Sequence, residues 1–291
     1  MKVALVGATG ILGRALIPQL LTKHEVRALA RKPDSIRTLF GAQVEALECD
    51  LLAPHIANQL PALLAGCHVV IHAATAIPPT AEMGKPGAWD ANTRLRLEGT
   101  AHLLAASLQV GAQVYLQQSI TMAYPDSGDH WISEDVPFRS IDANGRPVNE
   151  TVIEMERQVR AIPTAQLRWS ILRGSIFVGK GTFQEDLIAR LRAGSEKVAC
   201  EGKSYLSLIH FEDMASAFVA AIDRAPAGST FNVCDKPLRQ RDYLDRLAEA
   251  VGAPKPPRDA DAPCPISQRC ANQAAQNALK WQPTHGVIPQ E

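Results

Sequence analysis

Short apolar runs alternate along the chain with segments whose apolar residues recur at helical spacing. The first five runs cover residues 3–6, 25–30, 44–49, 67–71 and 114–118. Runs of this kind are typical of parallel strands that are buried on both faces. Because a helical segment separates each run from the next, the pattern predicts an α/β fold with a doubly wound parallel sheet.

The alternation of strands and helices breaks in the back third of the chain. It is interrupted at residues 177–206 and again from residue 235, where a proline-rich stretch covers 253–265. We therefore expect a main domain formed by residues 1–176 plus 207–234. The remaining residues, 177–206 plus 235–291, are expected to form a smaller, discontinuous C-terminal domain that binds the substrate.

Three glycines, Gly7, Gly10 and Gly13, lie where the first apolar run gives way to a helical segment. Glycine at a strand-to-helix turn lets backbone N–H groups approach a pyrophosphate at the positive end of the helix. The spacing differs from the standard Gly-x-Gly-x-x-Gly, and a tight turn without a ligand is the alternative. The turn predicts a Rossmann-type dinucleotide site. Its residues are Gly7, Thr9, Gly10, Ile11, Leu12 and Gly13.

The second run ends in Arg31 and Lys32. In this architecture the end of the second strand faces the adenosine ribose, where an acidic side chain binds the 2′-hydroxyl group and an arginine binds a 2′-phosphate. We therefore expect NADP as the cofactor, with NAD as the second candidate; a solvated basic loop is the alternative interpretation. Asp50 and Leu51 follow the third run, and Asp50 is expected to accept a hydrogen bond from the adenine amino group.

The fourth run is followed by His72 and three small residues, Ala73, Ala74 and Thr75. Small side chains at the end of a strand leave space for the cofactor backbone, so these three residues are predicted to bind the cofactor. A single histidine at such a position is more often a hydrogen-bonded structural residue, which is the role expected for His72.

Charge and composition exclude several classes of partner. The 30 basic and 30 acidic residues give no net charge, so neither nucleic acid nor an anionic membrane surface is an expected partner. No apolar run approaches the roughly 20 residues of a membrane span, and the first strand follows Met1 directly, so we expect a cytoplasmic protein. The six cysteines show no Cys-x-x-Cys spacing, which predicts reduced thiols with neither a disulfide framework nor a metal site.

Several short motifs follow one another in a specific order. They are GATGILG at 7–13, HAAT at 72–75, Asn92 with Gly99 and Thr100, Ser119, SEDVP at 133–137, LRGS at 172–175, IHFEDMA at 209–215, FNV at 231–233 and LKWQP at 279–283. Together they resemble the extended short-chain dehydrogenase/reductase family, which includes sugar-nucleotide epimerases, dehydratases and reductases. The resemblance implies that Asn92, Gly174 and Ser175 bind the cofactor and that the substrate is a small molecule. It also implies a homodimer formed through helices expected at 88–108 and 148–161.

The catalytic Tyr-x-x-x-Lys pair of that family is absent from the chain. In the family the tyrosine is the general acid and base, and the lysine lowers its pKa and holds the nicotinamide ribose. If Glu156 is the acidic residue found later in the same helix, Val148 and Val152 occupy the two positions. A shift of two residues puts Arg146 and Glu150 there instead. Both registers lose the pair, so the chain resembles the atypical branch of the family.

Two hydroxyl side chains remain as candidates for catalysis. The resemblance implies that Ser119 orients the substrate oxygen, and Tyr124, expected in a loop at the pocket mouth, is near enough to replace the missing acid. The sequence thus favours an NADP-dependent oxidoreductase of the epimerase, dehydratase or reductase type. Its substrate is expected to be a carbonyl or sugar-type small molecule, bound in a non-standard active site. The alternative is a non-catalytic regulatory protein that senses NADP(H).

Overall fold

The computed structural model describes residues 1–140 and 148–289. Arg146, which belongs to the shifted register of the missing pair, lies outside the described residues. The side chain of Val148 also lies outside the described part of the chain.

Fifteen strands are present in the described residues, and seven of them form the central sheet. The strands are β1 Lys2–Val6, β2 Glu25–Ala30, β3 Val44–Glu48, β4 Val69–His72, β5 Val114–Ile120, β6 Trp131–Ile132, β7 Arg168–Gly174, β8 Ile176–Val178, β9 Val198–Ala199, β10 Tyr205–Leu206, β11 Leu208–His210, β12 Ser229–Val233, β13 Leu238–Arg239, β14 Arg258–Asp259 and β15 Arg269–Cys270.

Neighbouring strands of the central sheet all run parallel, in the order β12-β7-β5-β4-β1-β2-β3. The chain order reverses between β1 and β4, because β2 and β3 extend the sheet on one side of β1 and the later strands extend it on the other. In open α/β sheets ligands bind at the carboxyl ends of the strands at such a switch point. Val6 pairs with both Leu29 and His72, so the turns after β1, β2 and β4 lie at one edge. The predicted Rossmann-type doubly wound sheet is confirmed.

Ten α-helices are described, and most of them cover the central sheet. They are α1 Ile11–Leu21, α2 Pro33–Phe40, α3 Ile56–Leu64, α4 Asp90–Arg94, α5 Thr100–Gln109, α6 Val148–Arg160, α7 Phe183–Arg192, α8 Phe211–Arg224, α9 Gln240–Ala250 and α10 Gln273–Leu279. A π-helical turn, Leu95–Gly99, joins α4 to α5 in one continuous helix. No helix in the described ranges has both the length and the apolar character that a membrane crossing requires.

Separate hydrophobic clusters cover the two faces of the sheet. β1 contributes Val3 and Leu5 to the first cluster and Ala4 and Val6 to the second, since side chains alternate along a strand. Helices α1 and α8 complete the first cluster, whereas α3, α5 and α6 complete the second. The switch point between β1 and β4 is therefore supported by packed helices on both faces.

A third hydrophobic cluster lies in the part of the chain where the alternation breaks. It joins α7 and α9 with Val287 near the end of the chain. By contrast, α10, which the sequence groups with this part, packs Ala275 and Leu279 into the first cluster beside α8. The apolar face of α10 is thus covered by the main core.

Cys200 and Cys264 are joined by a disulfide, which corrects the prediction that all six cysteines are reduced thiols. Parallel pairing of β9 with β14 brings the two segments together, with Cα atoms 5.0 Å apart. Because the two cysteines are separated by 64 positions, their spacing carries no signal in the sequence. The other four cysteines are free and buried.

Candidate functional site

The turn after β1 has no room for a side chain at two of its glycines. Gly7 has a φ of +93°, and a Cβ atom there would lie 2.6 Å from backbone atoms of Ala73 and Ala74. A Cβ atom at Gly13 would lie 2.2 Å from the carbonyl oxygen of Gly7. Glycine at both positions therefore brings α1, β1 and the end of β4 into backbone contact, as a dinucleotide cleft requires.

The N-terminus of α1 opens into this cleft. Gly10 is the N-cap residue, and no side chain caps the helix, so the first-turn N–H groups can bind an anion. Thr9 and Gly10 are exposed and line the cleft. Ile11 is half-buried, and Leu12 packs into the first hydrophobic cluster. The close backbone and the positive end of the helix fit the pyrophosphate of a dinucleotide.

Arg31 and Lys32 are exposed at the end of β2. Arg31 borders both the cleft and an adjoining groove that Lys32 and Arg37 also line. Arg37 is already paired with Asp34 at 2.6 Å. Within residues 1–140 and 148–289, neither the Arg31 nor the Lys32 side chain has a hydrogen-bond or ion-pair partner. These two cations are the ones free to bind a phosphate at this end of the cleft.

The opposite wall of the cleft comes from the ends of β3 and β4. Its predicted residues are Asp50, Leu51, Ala73, Ala74 and Thr75. One carboxylate oxygen of Asp50 accepts a hydrogen bond from the Leu52 backbone N–H at 3.0 Å, which fixes the carboxylate beside the cleft. The small side chains after β4 leave this wall open to the turn at Gly7.

Three further residues predicted to bind the cofactor do not line this cleft. Asn92 is buried, and its side-chain oxygen accepts a hydrogen bond from the Ala76 backbone N–H at 3.0 Å, so it holds the loop after β4. Gly174 and Ser175 lie at the end of β7, two strands from β4, where the hydroxyl oxygens of Ser175 and Thr121 are 3.1 Å apart. Their contact with a cofactor stays a prediction.

Ser119 belongs to a buried polar network. Its hydroxyl donates a hydrogen bond to Glu156 Oε1 at 2.7 Å. The two carboxylate oxygens of Glu156 also accept hydrogen bonds from Arg173, whose Nε and Nη2 atoms lie 2.9 and 2.7 Å away. The three residues come from β5, α6 and β7, so the network joins two strands of the sheet to the helix that covers them.

Tyr124 lies in the loop after β5, as expected, but it is fully buried and therefore does not face the mouth of a pocket. Its hydroxyl donates a hydrogen bond to Asn232 Oδ1 at 2.8 Å and accepts one from Arg173, while its ring contacts Phe138. Burial raises the pKa of Tyr124, and the neighbouring Arg173 opposes that effect only in part. The aromatic ring is drawn into the interior because its apolar area is large and its hydroxyl finds partners there.

In the register set by Glu156, the second position of the missing pair is apolar, whereas the shifted register puts the exposed Glu150 there. Val152, four residues before Glu156, is fully buried, and Met155 is 2% exposed. Next to them, Gln117 Nε2 lies 3.0 Å from His72 Nδ1 and 3.3 Å from Met155 Sδ. Burial lowers the pKa of His72 to about 4, so the imidazole is neutral at neutral pH. His72 is thus a hydrogen-bonded structural residue, as expected.

Arg96 was not among the predicted site residues. It lies in the π-helical turn, its side chain is buried, and it has no hydrogen-bond or ion-pair partner in the described part of the chain. Burial lowers the pKa of Arg96 to about 10, which leaves the guanidinium charged at neutral pH. The available signal in the sequence is its position four residues after Asn92, on a helix face where apolar side chains are expected.

Three comparisons relate these features to known proteins. Residues 3–234 match the NAD dependent epimerase/dehydratase family. A 3-diazoavenalumate denitrifying reductase from Streptomyces sp. is 29% identical over 305 residues, covering 98% of this chain and 97% of the relative. The UDP-glucuronic acid 4-epimerase from Bacillus cereus, solved with UDP-glucuronic acid and NAD, has a TM-score of 0.81 at 18% identity, over 99% of this chain and 96% of its own. The human epimerase family protein SDR39U1, solved with NADPH, has a TM-score of 0.78 at 18% identity, over 99% and 97% of the two chains.

The family match covers the cleft, the α6 face and the Ser119 network. The two solved structures support the same fold over almost the whole chain. In the cleft itself, a glycine turn that excludes Cβ atoms and an uncapped helix N-terminus fit a nicotinamide dinucleotide. The chain belongs to the NAD dependent epimerase/dehydratase family, as an NAD(P)-binding protein of the oxidoreductase type.

Proposed function

We propose that this protein is an NADPH-dependent reductase that transfers hydride to a small-molecule electrophile without the Tyr-x-x-x-Lys proton relay. The observation that carries the proposal is Val152, a fully buried side chain four residues before Glu156. An isopropyl group neither donates a proton nor binds a ribose hydroxyl. The site therefore suits a substrate that accepts hydride with no proton from the protein.

The two hydroxyls predicted to be catalytic support this proposal through their partners. The Ser119 hydroxyl donates a hydrogen bond to Glu156, and the Tyr124 hydroxyl donates one to Asn232. Transfer of either proton to a substrate would break a buried hydrogen bond and leave a buried anion, both of which cost free energy. We assign both residues a positioning role, because each ties together elements that carry the site.

Aryldiazo compounds are electrophiles of the required kind. The Streptomyces relative is named as a denitrifying reductase of a diazo compound, 3-diazoavenalumate. When reduced nicotinamide is bound, one hydride from it can replace dinitrogen on an aryldiazonium ion, giving the arene, dinitrogen and oxidised nicotinamide with no further reactant. We propose this substrate class for the chain in place of the carbonyl or sugar-type substrates that the sequence favours.

The preference for NADPH over NADH is assigned to Arg31 and Lys32. Replacing Arg31 by Ala removes an unpaired guanidinium beside the cleft, so NADPH binding should weaken about 10-fold while NADH binding is unchanged. Calorimetric titration of both nucleotides measures this difference. Arg192, exposed on α7, provides the control variant Arg192→Ala. Equal weakening of both nucleotides by Arg31→Ala would contradict the assignment.

The reaction can be tested with 4-carboxybenzenediazonium and NADPH that carries deuterium at the transferred position. We expect protein-dependent loss of NADPH, release of dinitrogen and one deuterium on the ring of the benzoate formed. The control variant is Gly13→Ala, because a Cβ atom there would lie 2.2 Å from the Gly7 carbonyl oxygen and distort the cleft. Reduction of 4-carboxybenzaldehyde, which needs a proton on oxygen, should be at least about 100-fold slower.

Two outcomes would overturn the proposed function. Diazonium reduction no faster than without protein, in a chain that binds NADPH, would favour the alternative of a non-catalytic NADP(H) sensor. Equal turnover of the aldehyde and the diazonium ion would mean that a proton donor acts in the site after all.

We also propose that two parts of the chain bind different ligands. In addition, we propose that the protein forms a homodimer. Residues 1–176 plus 207–234 would bind the dinucleotide, and 177–206 plus 235–291 would bind the substrate together with side chains at the carboxyl edge of the central sheet. The separate hydrophobic cluster around α7 and α9 supports this division. The dimer would form through the helix over 90–109 and through α6, and sedimentation that shows a monomer at all concentrations would refute it.

A further inference from the structure

Arg96 lies near the carboxyl edge of the central sheet. On the same helix, Asn92 accepts a hydrogen bond from Ala76, which follows β4. Gly99 is close to the end of β4, because a Cβ atom there would lie 3.6 Å from His72 Nε2. Arg96 stands between Asn92 and Gly99 along the helix, so it is held beside the residues that end β4.

The nucleotide cleft and Arg96 occupy different strips of this helix. Ala91 and Leu95 line the cleft. Asn92 and Arg96 each follow by one residue, about 100° further around the helix, on its buried side. The π-helical turn that carries Arg96 packs against α6, the helix of Val152. The turn that carries Arg96 is therefore packed against α6, and Arg96 is not one of the residues that line the cleft.

The charge of Arg96 has no compensation in the described part of the protein. Arg96 is 7% exposed, and its side chain makes no hydrogen bond or ion pair with residues 1–140 or 148–289. Arg94, two residues earlier, is exposed and pairs with Glu98 at 2.8 Å. Because burying a charge is costly, buried charges in proteins are paired or bind a ligand. The unpaired donors of Arg96 thus indicate an anion that the chain itself does not supply.

We propose that Arg96 binds the carboxylate of the substrate, an inference that rests on the proposed function. The planar guanidinium can form two parallel hydrogen bonds with a carboxylate. The helix packed against this turn, α6, buries the apolar side chains of Val152 and Met155, which have no group that could pair with the guanidinium in place of a carboxylate. The substrate class is then an aryl electrophile that carries a carboxylate. The substrate of the Streptomyces relative, 3-diazoavenalumate, is likewise named as the anion of an acid.

The anion site is tested with benzoate and its neutral analogue benzamide, titrated by calorimetry into the protein saturated with NADP. Arg96→Met should weaken benzoate binding on the order of 10- to 100-fold, and Arg96→Lys should lie between this variant and the wild type. Benzamide binding should respond to neither substitution. Arg94→Met is the matched control, because this exposed arginine of the same helix should leave benzoate binding as in the wild type.

Two further measurements separate ligand binding from a structural role. Removing an unpaired buried charge should leave the Tm of the ligand-free Arg96→Met variant equal to or above that of the wild type. NADPH affinity should be unchanged. A lower Tm, unchanged benzoate binding, or a loss of NADPH affinity as large as that for benzoate would each overturn the proposal; the last result would assign Arg96 to a cofactor phosphate.

Failure of the anion site is distinguishable from failure of the proposed reaction. The wild type should prefer 4-carboxybenzenediazonium over unsubstituted benzenediazonium, and Arg96→Met should lose that preference. If the wild type reduces neither ion while its benzoate binding depends on Arg96, the reaction is refuted and the anion site stands. If the wild type reduces both ions equally well, the reaction stands and the role of Arg96 is refuted.

Discussion

The buried charge of Arg173 is stabilised by the residues that surround it. The Arg173 and Glu156 side chains are 6% and 5% exposed, and the guanidinium also lies 4.1 Å from the ring centroid of Phe138. Arg173→Met would leave the Glu156 carboxylate buried without its main partner. We therefore expect the free energy of unfolding, measured by urea denaturation, to fall by about 3 to 5 kcal/mol.

An exposed ion pair of α6 provides the control for this variant. Arg157 and Glu154 are 2.6 Å apart, but their side chains are 68% and 39% exposed. Water screens such a pair, so Arg157→Met should change the free energy of unfolding by less than about 1 kcal/mol. Similar losses for Arg157→Met and Arg173→Met would show that burial does not decide the strength of the Arg173 pair.

His72 should make the stability of the protein depend on pH. Burial lowers its pKa to about 4 in the native state, whereas an exposed histidine in the unfolded chain titrates near ~6.5. As the pH falls below the unfolded value, only the unfolded chain binds the proton, so stability is lost until the native pKa is reached. Between pH 7 and pH 5, the wild type should lose roughly 2 kcal/mol more than His72→Asn, which removes the titrating ring.

Urea denaturation at the two pH values measures this difference. The comparison uses the change with pH, so a constant loss of stability in His72→Asn does not affect it. His130→Asn, at an exposed histidine, should keep the pH dependence of the wild type. Parallel pH profiles for the wild type and His72→Asn would contradict a neutral buried imidazole.

At the residue scale, the sequence was informative where the chemistry is local. Gly7 and Gly13 lie in one strand-to-helix turn, so their spacing was enough to predict the cleft, although the contact of Gly7 with the end of β4 could not be read from it. Whether Tyr124 faces a pocket or the interior depends on Asn232, which is 108 positions away. Like the burial of Tyr124, the role of Arg96 could not be predicted from the neighbouring residues in the sequence. Only its burial and the absence of a partner among the described residues distinguish it from a surface arginine.

At the scale of single elements, helix α1 depends on close contact with the turn that precedes it. A Cβ atom at Gly13 would lie 2.2 Å from Gly7 O and 2.6 Å from Ala8 Cα, so the helix would have to move away from the turn. We expect Gly13→Ala to lower the free energy of unfolding by about 2 kcal/mol. Calorimetry should also show loss of NADPH binding, because the first-turn N–H groups shift with the helix.

A matched glycine lies outside regular structure. A Cβ atom at Gly84 would meet no heavy atom within 4 Å, and this glycine has no positive φ. Gly84→Ala should therefore leave both stability and NADPH binding close to those of the wild type. A neutral effect of Gly13→Ala would mean that the turn tolerates the extra methyl group and that close backbone contact is not what shapes the cleft.

Elements with an uninterrupted pattern were predictable to within a few residues. The strand expected at 25–30 is β2, and the helix expected at 88–108 is found over 90–109. The π-helical turn inside that helix was not predictable, because one widened turn hardly disturbs the spacing of its apolar residues. That turn carries Arg96, so the sequence located the helix and missed the feature on it that matters most for the anion site.

At the scale of the whole molecule, the disulfide is the clearest feature that depends on distant parts of the chain. It joins positions separated by 64 residues and connects the segment around β9 to the proline-rich stretch near β14. Closing a loop of this length in the unfolded state should stabilise the native protein by about 4 kcal/mol in the chain-entropy model. Cys264→Ser should therefore lower the free energy of unfolding by an amount of this order.

Thiol titration of the unfolded protein tests the bond itself before its energy is measured. Four thiols should react without reductant and six after reduction, because the other four cysteines are free in the native structure. Cys49→Ser serves as the control, since it should lower both counts by one and leave the bond intact. Six reactive thiols without reductant would contradict the disulfide, and the contact between these two segments would then rest on the pairing of β9 with β14 alone.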